Sequence, residues 1–136
     1  MTKSFNFCIV DDDEIYQYTI KKTIKSLNLI NSIIAFSDGE EALNYMIENL
    51  NKDAELPDII LLDINMPIMD GFQFMEEYIK IKPKLGKKII IYMVSSSVDI
   101  ADIERAKKIS EISDYIIKPI KHGRIKSIID ELVNEE

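Results

Sequence analysis

The sequence predicts an α/β domain built on a parallel sheet with helices on both sides. Five short apolar runs, rich in Ile and Val and without polar alternation, have the pattern of strands covered on both faces. A stretch with helical spacing follows each run, so the chain reads as five βα units in order. In such sheets a site forms at the carboxyl ends of the strands, so the residues just after each run carry the functional reading.

The first run, Phe5–Val10, contains Cys8, which reads as a buried small hydrophobe. The helix after it places Tyr16, Ile20, Ile24 and Leu27 on one face. The second run, Ser32–Phe36, leads through a cap at Ser37 or Asp38 into a helix with Leu43, Ile47 and Leu50 inward. Pro57 precedes the third run, Ile59–Leu62, and Phe72, Met75 and Ile79 mark the third helix. Pro83 and Gly86 precede the fourth run, Ile89–Val94. The fourth helix, from about Asp99 to Ile109 behind a cap at Ser97 or Asp99, has the thinnest stripe. Only Ile100, Ile103 and Ala106 form it, which predicts loose packing. The fifth run, Tyr115–Ile117, ends at Lys118 and Pro119, and Ile125, Ile128, Ile129 and Leu132 give the last helix its i, i+3, i+4, i+7 face. The acidic end, Glu131–Glu136, reads as a frayed helix terminus.

Bulk composition excludes several classes. A length of 136 residues suits one domain, residues 1–136, and 46% apolar residues is enough for a real core. A formal charge of −7 disfavours nucleic acid or an anionic membrane as the main partner, since both select a basic face. One cysteine excludes an intrachain disulfide and fits a reducing compartment. The longest apolar run, Ile89–Val94, is far short of a membrane span, and the start of the chain lacks a signal-peptide pattern. A cytoplasmic protein is expected.

The strand ends hold the chemistry. Asp11, Asp12 and Asp13 follow the first run and Asp63 the third; Ser95, Ser96 and Ser97 follow the fourth, Lys118 the fifth. Carboxylates crowded on one rim repel unless a cation joins them. Oxygen-only ligands favour Mg²⁺, and with no His or Cys nearby zinc is disfavoured. A lysine and a hydroxyl at the same rim suit a phosphoryl group. Formal charges balance: Asp11, Asp12 and Asp63 contribute −3, Mg²⁺ and Lys118 +3. Singly, each feature is as well explained by a turn or a helix cap. Their convergence at four strand ends of one sheet is what points to a site.

These residues resemble the receiver domains of two-component response regulators, of which CheY is the minimal example, over nearly the whole chain. Ile9-Val10-Asp11-Asp12-Asp13 is similar to the family's acidic pair. Ile60-Leu61-Leu62-Asp63-Ile64-Asn65-Met66-Pro67-Ile68-Met69-Asp70-Gly71 resembles its phosphoacceptor motif throughout. Val94-Ser95-Ser96 resembles its hydroxyl position, and Asp114-Tyr115-Ile116-Ile117-Lys118-Pro119 its switch aromatic and lysine.

The resemblance implies a flavodoxin-like (βα)5 fold, strand order 2-1-3-4-5; the length gives the expectation of a single receiver domain over residues 1–136 with no output domain, either stand-alone or part of a larger regulator. The resemblance also implies phosphorylation of Asp63, Mg²⁺ held by Asp11, Asp12, Asp63 and the Asn65 carbonyl, and phosphoryl oxygens held by Ser95, Ser96 and Lys118. Ser95 and Tyr115 would form the switch, signalling through the face of the fourth helix, fifth strand and fifth helix. A cis bond is expected at Lys118–Pro119, because the lysine must point back toward Asp63 while the chain turns; for X-Pro the cis form costs only about 0.5–1 kcal/mol. The implied partners are a sensor histidine kinase or histidine phosphotransfer protein, a downstream protein target, and a phosphorylation-dependent homodimer. No enzymatic activity is expected beyond self-directed phosphotransfer and autodephosphorylation.

Three features stand apart from the pattern or compete with it. The stretch Asn49–Pro57 is long for the family and enlarges the loop before the third strand. His122 reads as an exposed residue at a helix start rather than a relay histidine. Asp11-Asp12-Asp13 also resembles the Asp-x-Asp of haloacid-dehalogenase-type phosphatases; that family needs a further acidic motif after its lysine, and 18 residues follow Lys118. A receiver that binds partners without carrying phosphate is the other rival, and it would normally lack one of the site residues.

Overall fold

The computed structural model describes residues 5–27 and 30–134. The strands are β1 (Phe5–Val10), β2 (Ile30–Phe36), β3 (Ile59–Leu62), β4 (Ile90–Ser95) and β5 (Ile112–Ile117). The helices are α1 (Glu14–Lys25), α2 (Gly39–Glu48), α3 (Gly71–Ile81), α4 (Ile100–Lys107) and α5 (His122–Asn134), with a short 3₁₀ turn at Lys82–Lys84. The five strands are all parallel, in the order β2-β1-β3-β4-β5. The strand order reverses at β1, which places a crevice at the carboxyl ends of β1 and β3.

Alternation along the strands builds two cores. Cys8, Val10, Ile60, Leu62, Ile91 and Met93 pack with buried residues of α2, α3 and α4. Phe7, Ile9, Ile59, Leu61, Tyr92 and Val94 pack with those of α1 and α5. Successive side chains leave opposite faces of a strand, so an unbroken apolar run is what two buried faces require. This holds for β1, β3 and β4. It fails at the edge strand β5, where Ser113 and Asp114 are exposed and Ile117 is 47% exposed. For that reason β5 begins three residues before the apolar run at Tyr115. β2 likewise begins two residues before Ser32, and β4 runs one residue later at both ends than the apolar pattern suggests.

Two helix faces differ from the expected stripes. α2 turns Ala42, Leu43 and Met46 inward and leaves Ile47 44% exposed, with Leu50 beyond its end only half-buried. α3 buries Phe72, Phe74, Met75 and Tyr78 and leaves Ile79 41% exposed. In both, the helix is rotated so that larger or better-placed neighbours fill the core. α5 buries all four expected residues, while α4 buries only Ala106 and leaves Ile100 70% exposed. Each buried Ile or Leu is worth about 1.5–3 kcal/mol, so α4 is the helix least held by the core. Its cap is Asp99, whose carboxylate accepts from the Ala101 N–H at 2.9 Å. His122 is exposed at the first residue of α5; that helix continues through Glu131 to Asn134, and Glu135 and Glu136 lie outside the described residues.

The long loop after α2 is tied to the amino ends of the strands. Asn6 donates to the Ala54 and Leu56 carbonyls, Lys87 donates to those of Asp53 and Leu56, and Leu56 is fully buried. It lies at the opposite end of the sheet from the acidic rim.

Candidate functional site

β1 and β3 deliver the two buried carboxylates side by side. The Asp11 N–H continues the sheet by donating to the Phe36 carbonyl, and the Asp63 N–H donates to that of Val10. Asp11 is 1% exposed and Asp63 7%, while Asp12 faces solvent. Oxygens of Asp11, Asp12 and Asp63 lie within 4.8 Å of one another. Burial pushes the Asp63 carboxyl up to about 6, and the nearby Asp11 charge pushes the same way. Lys118 and the Ile64 N–H, which donates to Asp63 Oδ1 at 2.8 Å, pull it only part of the way back.

Lys118 crosses from the end of β5 into this cluster. Its Nζ is 2.6 Å from Asp11 Oδ2 and 3.4 Å from Asp63 Oδ2. Burial alone would lower its pKa, but the two carboxylates outweigh it and the net shift is upward. The Lys118–Pro119 bond is cis. Ser95, at the end of β4, is fully buried, and its Oγ accepts from the Ser97 N–H at 3.1 Å. Ser96 and Asn65 are exposed. Tyr115 is half-buried against the α2–α4 core, and its hydroxyl donates to the Ser97 carbonyl at 2.8 Å.

The cluster fits a hard divalent cation. All its donors are oxygens, and burial first, then the neighbouring Asp11 charge, disfavours the ionised Asp63, a cost that a cation would relieve. Asp13 is spent differently. Its carboxylate caps α1 by accepting from the Ile15 and Tyr16 N–H groups at 3.0 and 3.1 Å. That removes the second aspartate of an Asp-x-Asp phosphatase motif from the site.

Three further residues shape the site that motif reading did not assign. Gly71 packs under the end of β3: a Cβ there would lie 2.2 Å from the Asp63 carbonyl oxygen, and the Gly71 N–H donates to the Ile64 carbonyl at 2.8 Å. The Gln17 side chain donates to the carbonyls of Asp11 and Phe36, joining the ends of β1 and β2. Tyr16 lays its ring over Lys118, with the ammonium 4.4 Å from the ring centroid. The hydrophobic pattern marked Tyr16 only as part of the α1 stripe, and nothing in the sequence signals a contact with a residue 102 positions away. Gly71 lies inside the quoted motif, so its presence was legible and its close approach was not.

The family model described as "Response regulator receiver domain" matches residues 7–130. A curated relative, the "Probable methanogenesis regulatory protein FilR2" of Methanothrix harundinacea, is 26% identical over 94% of this chain and 81% of its own length. The protein-glutamate methylesterase/protein-glutamine glutaminase of Methanococcoides burtonii is 34% identical over 93% of this chain, which spans only 33% of that protein. Among solved structures, a two component response regulator from Cytophaga hutchinsonii superposes with a TM-score of 0.84 at 24% identity, covering 97% of this chain and 99% of that one.

Proposed function

The chain belongs to the response regulator receiver domain family, and from that premise we propose that it accepts a phosphoryl group on Asp63 from a phosphohistidine of a sensor kinase or phosphotransfer protein. The observation that carries this is the placement of a buried carboxylate, Asp63, within reach of both the Asp11–Asp12 pair and the Lys118 ammonium. Asp12, Asp63 and the Asn65 carbonyl would hold Mg²⁺, with Asp11 contributing mainly through water. When bound, the cation neutralises charge between the carboxylates and the phosphoryl oxygens.

An Asp63 oxygen attacks phosphorus, a P–O bond forms, and the P–N bond to the donor imidazole breaks with its electron pair left on nitrogen. The product is an acyl phosphate carrying roughly one more negative charge than the carboxylate it replaces. Lys118 and the Ser95 hydroxyl would take up that charge as cation and donor, with Ser96 on the solvent side. Ser95 leads into the loop before α4, so drawing its hydroxyl toward the phosphoryl group pulls that loop. Tyr115 is tied to the same loop through Ser97, which makes α4, β5 and α5 the output face. A downstream protein or a second copy of the chain would read that face.

Receiver domains fit a signalling role, and the chemistry is phosphotransfer onto the chain itself and its hydrolysis. This chain spans only 33% of the Methanococcoides burtonii methylesterase. Incubation with acetyl phosphate and Mg²⁺, followed by site mapping, tests the reading.

A further inference from the structure

We propose that Tyr16 is a positioning residue of this site: its ring face holds the Lys118 ammonium at the fork between Asp11 and Asp63. The proposal rests on the reading of Asp63 as phosphoacceptor. It starts from a closed circuit of contacts. Asp11 Oδ1 accepts from the Asp13 N–H at 2.9 Å. The Asp13 carboxylate accepts from the Tyr16 N–H at 3.1 Å, which sets the first turn of α1. The Tyr16 ring lies 4.4 Å from the Lys118 ammonium. Lys118 closes the circuit at 2.6 Å on Asp11 Oδ2. Asp11, the helix cap Asp13 and the lysine are therefore one unit, with Tyr16 as the link between α1 and the end of β5.

A π-face is suited to this place. Lysine is a flexible point charge, and unsupported it would spread over many rotamers. A ring attracts the ammonium through its quadrupole without a directed hydrogen bond. The ammonium can then shift from Asp11 toward an incoming phosphoryl oxygen while staying in contact. A third carboxylate would hold it back, and water would screen it. The side chain of Lys118 is only 16% exposed, so its charge is little screened by solvent where it meets the ring. The Tyr16 hydroxyl is buried without a hydrogen-bond partner among the described residues, which assigns the role to the ring and not to the hydroxyl.

The test uses the full chain with Mg²⁺ and beryllofluoride as the phosphoryl mimic, in Tyr16→Phe, Tyr16→Leu, Lys118→Ala and the Tyr16→Leu/Lys118→Ala double variant. NMR of the Lys118 ε-methylene protons reports the ring directly. Upfield shifts are expected in wild type and Tyr16→Phe, and their loss in Tyr16→Leu. Beryllofluoride affinity should fall roughly threefold to thirtyfold in Tyr16→Leu and about twofold or less in Tyr16→Phe. With Lys118 already removed, Tyr16→Leu should add nothing. Additive losses, or Lys118 shifts unchanged in Tyr16→Leu, overturn the proposal. Tyr16→Met gives the same readouts if the leucine variant does not fold. Failure of wild type to bind beryllofluoride would count against the phosphoacceptor reading, while the Lys118 shifts would still decide the place of Tyr16.

Discussion

Lys118 stands closer to Asp11, at 2.6 Å, than to Asp63, at 3.4 Å. The ammonium thus leans toward the carboxylate that is not the proposed nucleophile, and leaves Asp63 only partly compensated. Lys118 also competes with any divalent cation for the same negative field. Lys118→Ala should therefore bind Mg²⁺ more tightly, by roughly tenfold from the removed repulsion, while losing affinity for beryllofluoride. Calorimetric titration with each ligand checks this pair of opposite changes; weaker Mg²⁺ binding in the variant would contradict it.

The raised pKa of Asp63 has a stability consequence without Mg²⁺. Its folded value of about 6 lies above the ordinary 3.8, so the native state holds more protons than the unfolded chain between those values. Unfolding free energy from this group is then highest below pH 4 and is lost as pH rises through 6, by on the order of 2–3 kcal/mol. Asp63→Asn cannot ionise. In EDTA it should be more stable than wild type at pH 7, with the advantage shrinking toward pH 4. Urea unfolding of both proteins across that range measures the difference; a constant difference would contradict the argument. Mg²⁺ should close the gap by stabilising wild type alone.

Gly71 is the residue whose missing side chain lets α3 start against the end of β3. Gly71→Ala places a methyl 2.2 Å from the Asp63 carbonyl oxygen, so backbone must move. A loss of about 2–4 kcal/mol is expected, together with weaker Mg²⁺ binding because Asp63 moves with its carbonyl. Urea midpoints and metal titration check both; a stable variant with normal metal affinity would contradict the packing described.

The parts of the molecule set by burial were legible in sequence; those set by long-range contact were not. β1 and β3 are central and covered on both faces, so their apolar runs have the bounds of the strands themselves. β5 is an edge strand, and its first half is polar because solvent covers it. The faces of α2 and α3 were misjudged because apolar spacing does not tell which of two neighbouring stripes meets the sheet. Asp11, Asp12, Asp63, Ser95 and Lys118 could be assigned to one rim from sequence because each follows an apolar run and all five runs read as parallel strands. Tyr16 and Gln17 lie in α1, where a helix stripe accounts for one and surface polarity for the other. Their partners, Lys118 and the Asp11 and Phe36 carbonyls, appear only after folding.

The output route predicts a spatial pattern. α4 keeps one buried residue, Ala106, and is joined to α3 by Arg105 over the Phe72 ring at 4.2 Å. Tyr115 is joined to the loop before α4 through the Ser97 carbonyl. Beryllofluoride with Mg²⁺ should shift amide resonances from Ser97 to Tyr115, favouring one of two packings. Tyr115→Phe should narrow those changes. Shifts confined to the neighbours of Asp63 would contradict this route.

The central claim is that Asp63 alone takes the phosphoryl group. Acetyl phosphate and Mg²⁺ are added to the wild-type chain, the acyl phosphate is trapped with borohydride, and the modified residue is mapped by mass spectrometry. The account predicts one reduced site, Asp63, with no labelling in Asp63→Ala and none in Asp12→Ala, which lacks a metal ligand. Labelling of Asp63→Ala at the wild-type level, or modification at Asp11 or Asp12 in the wild-type chain, would contradict it.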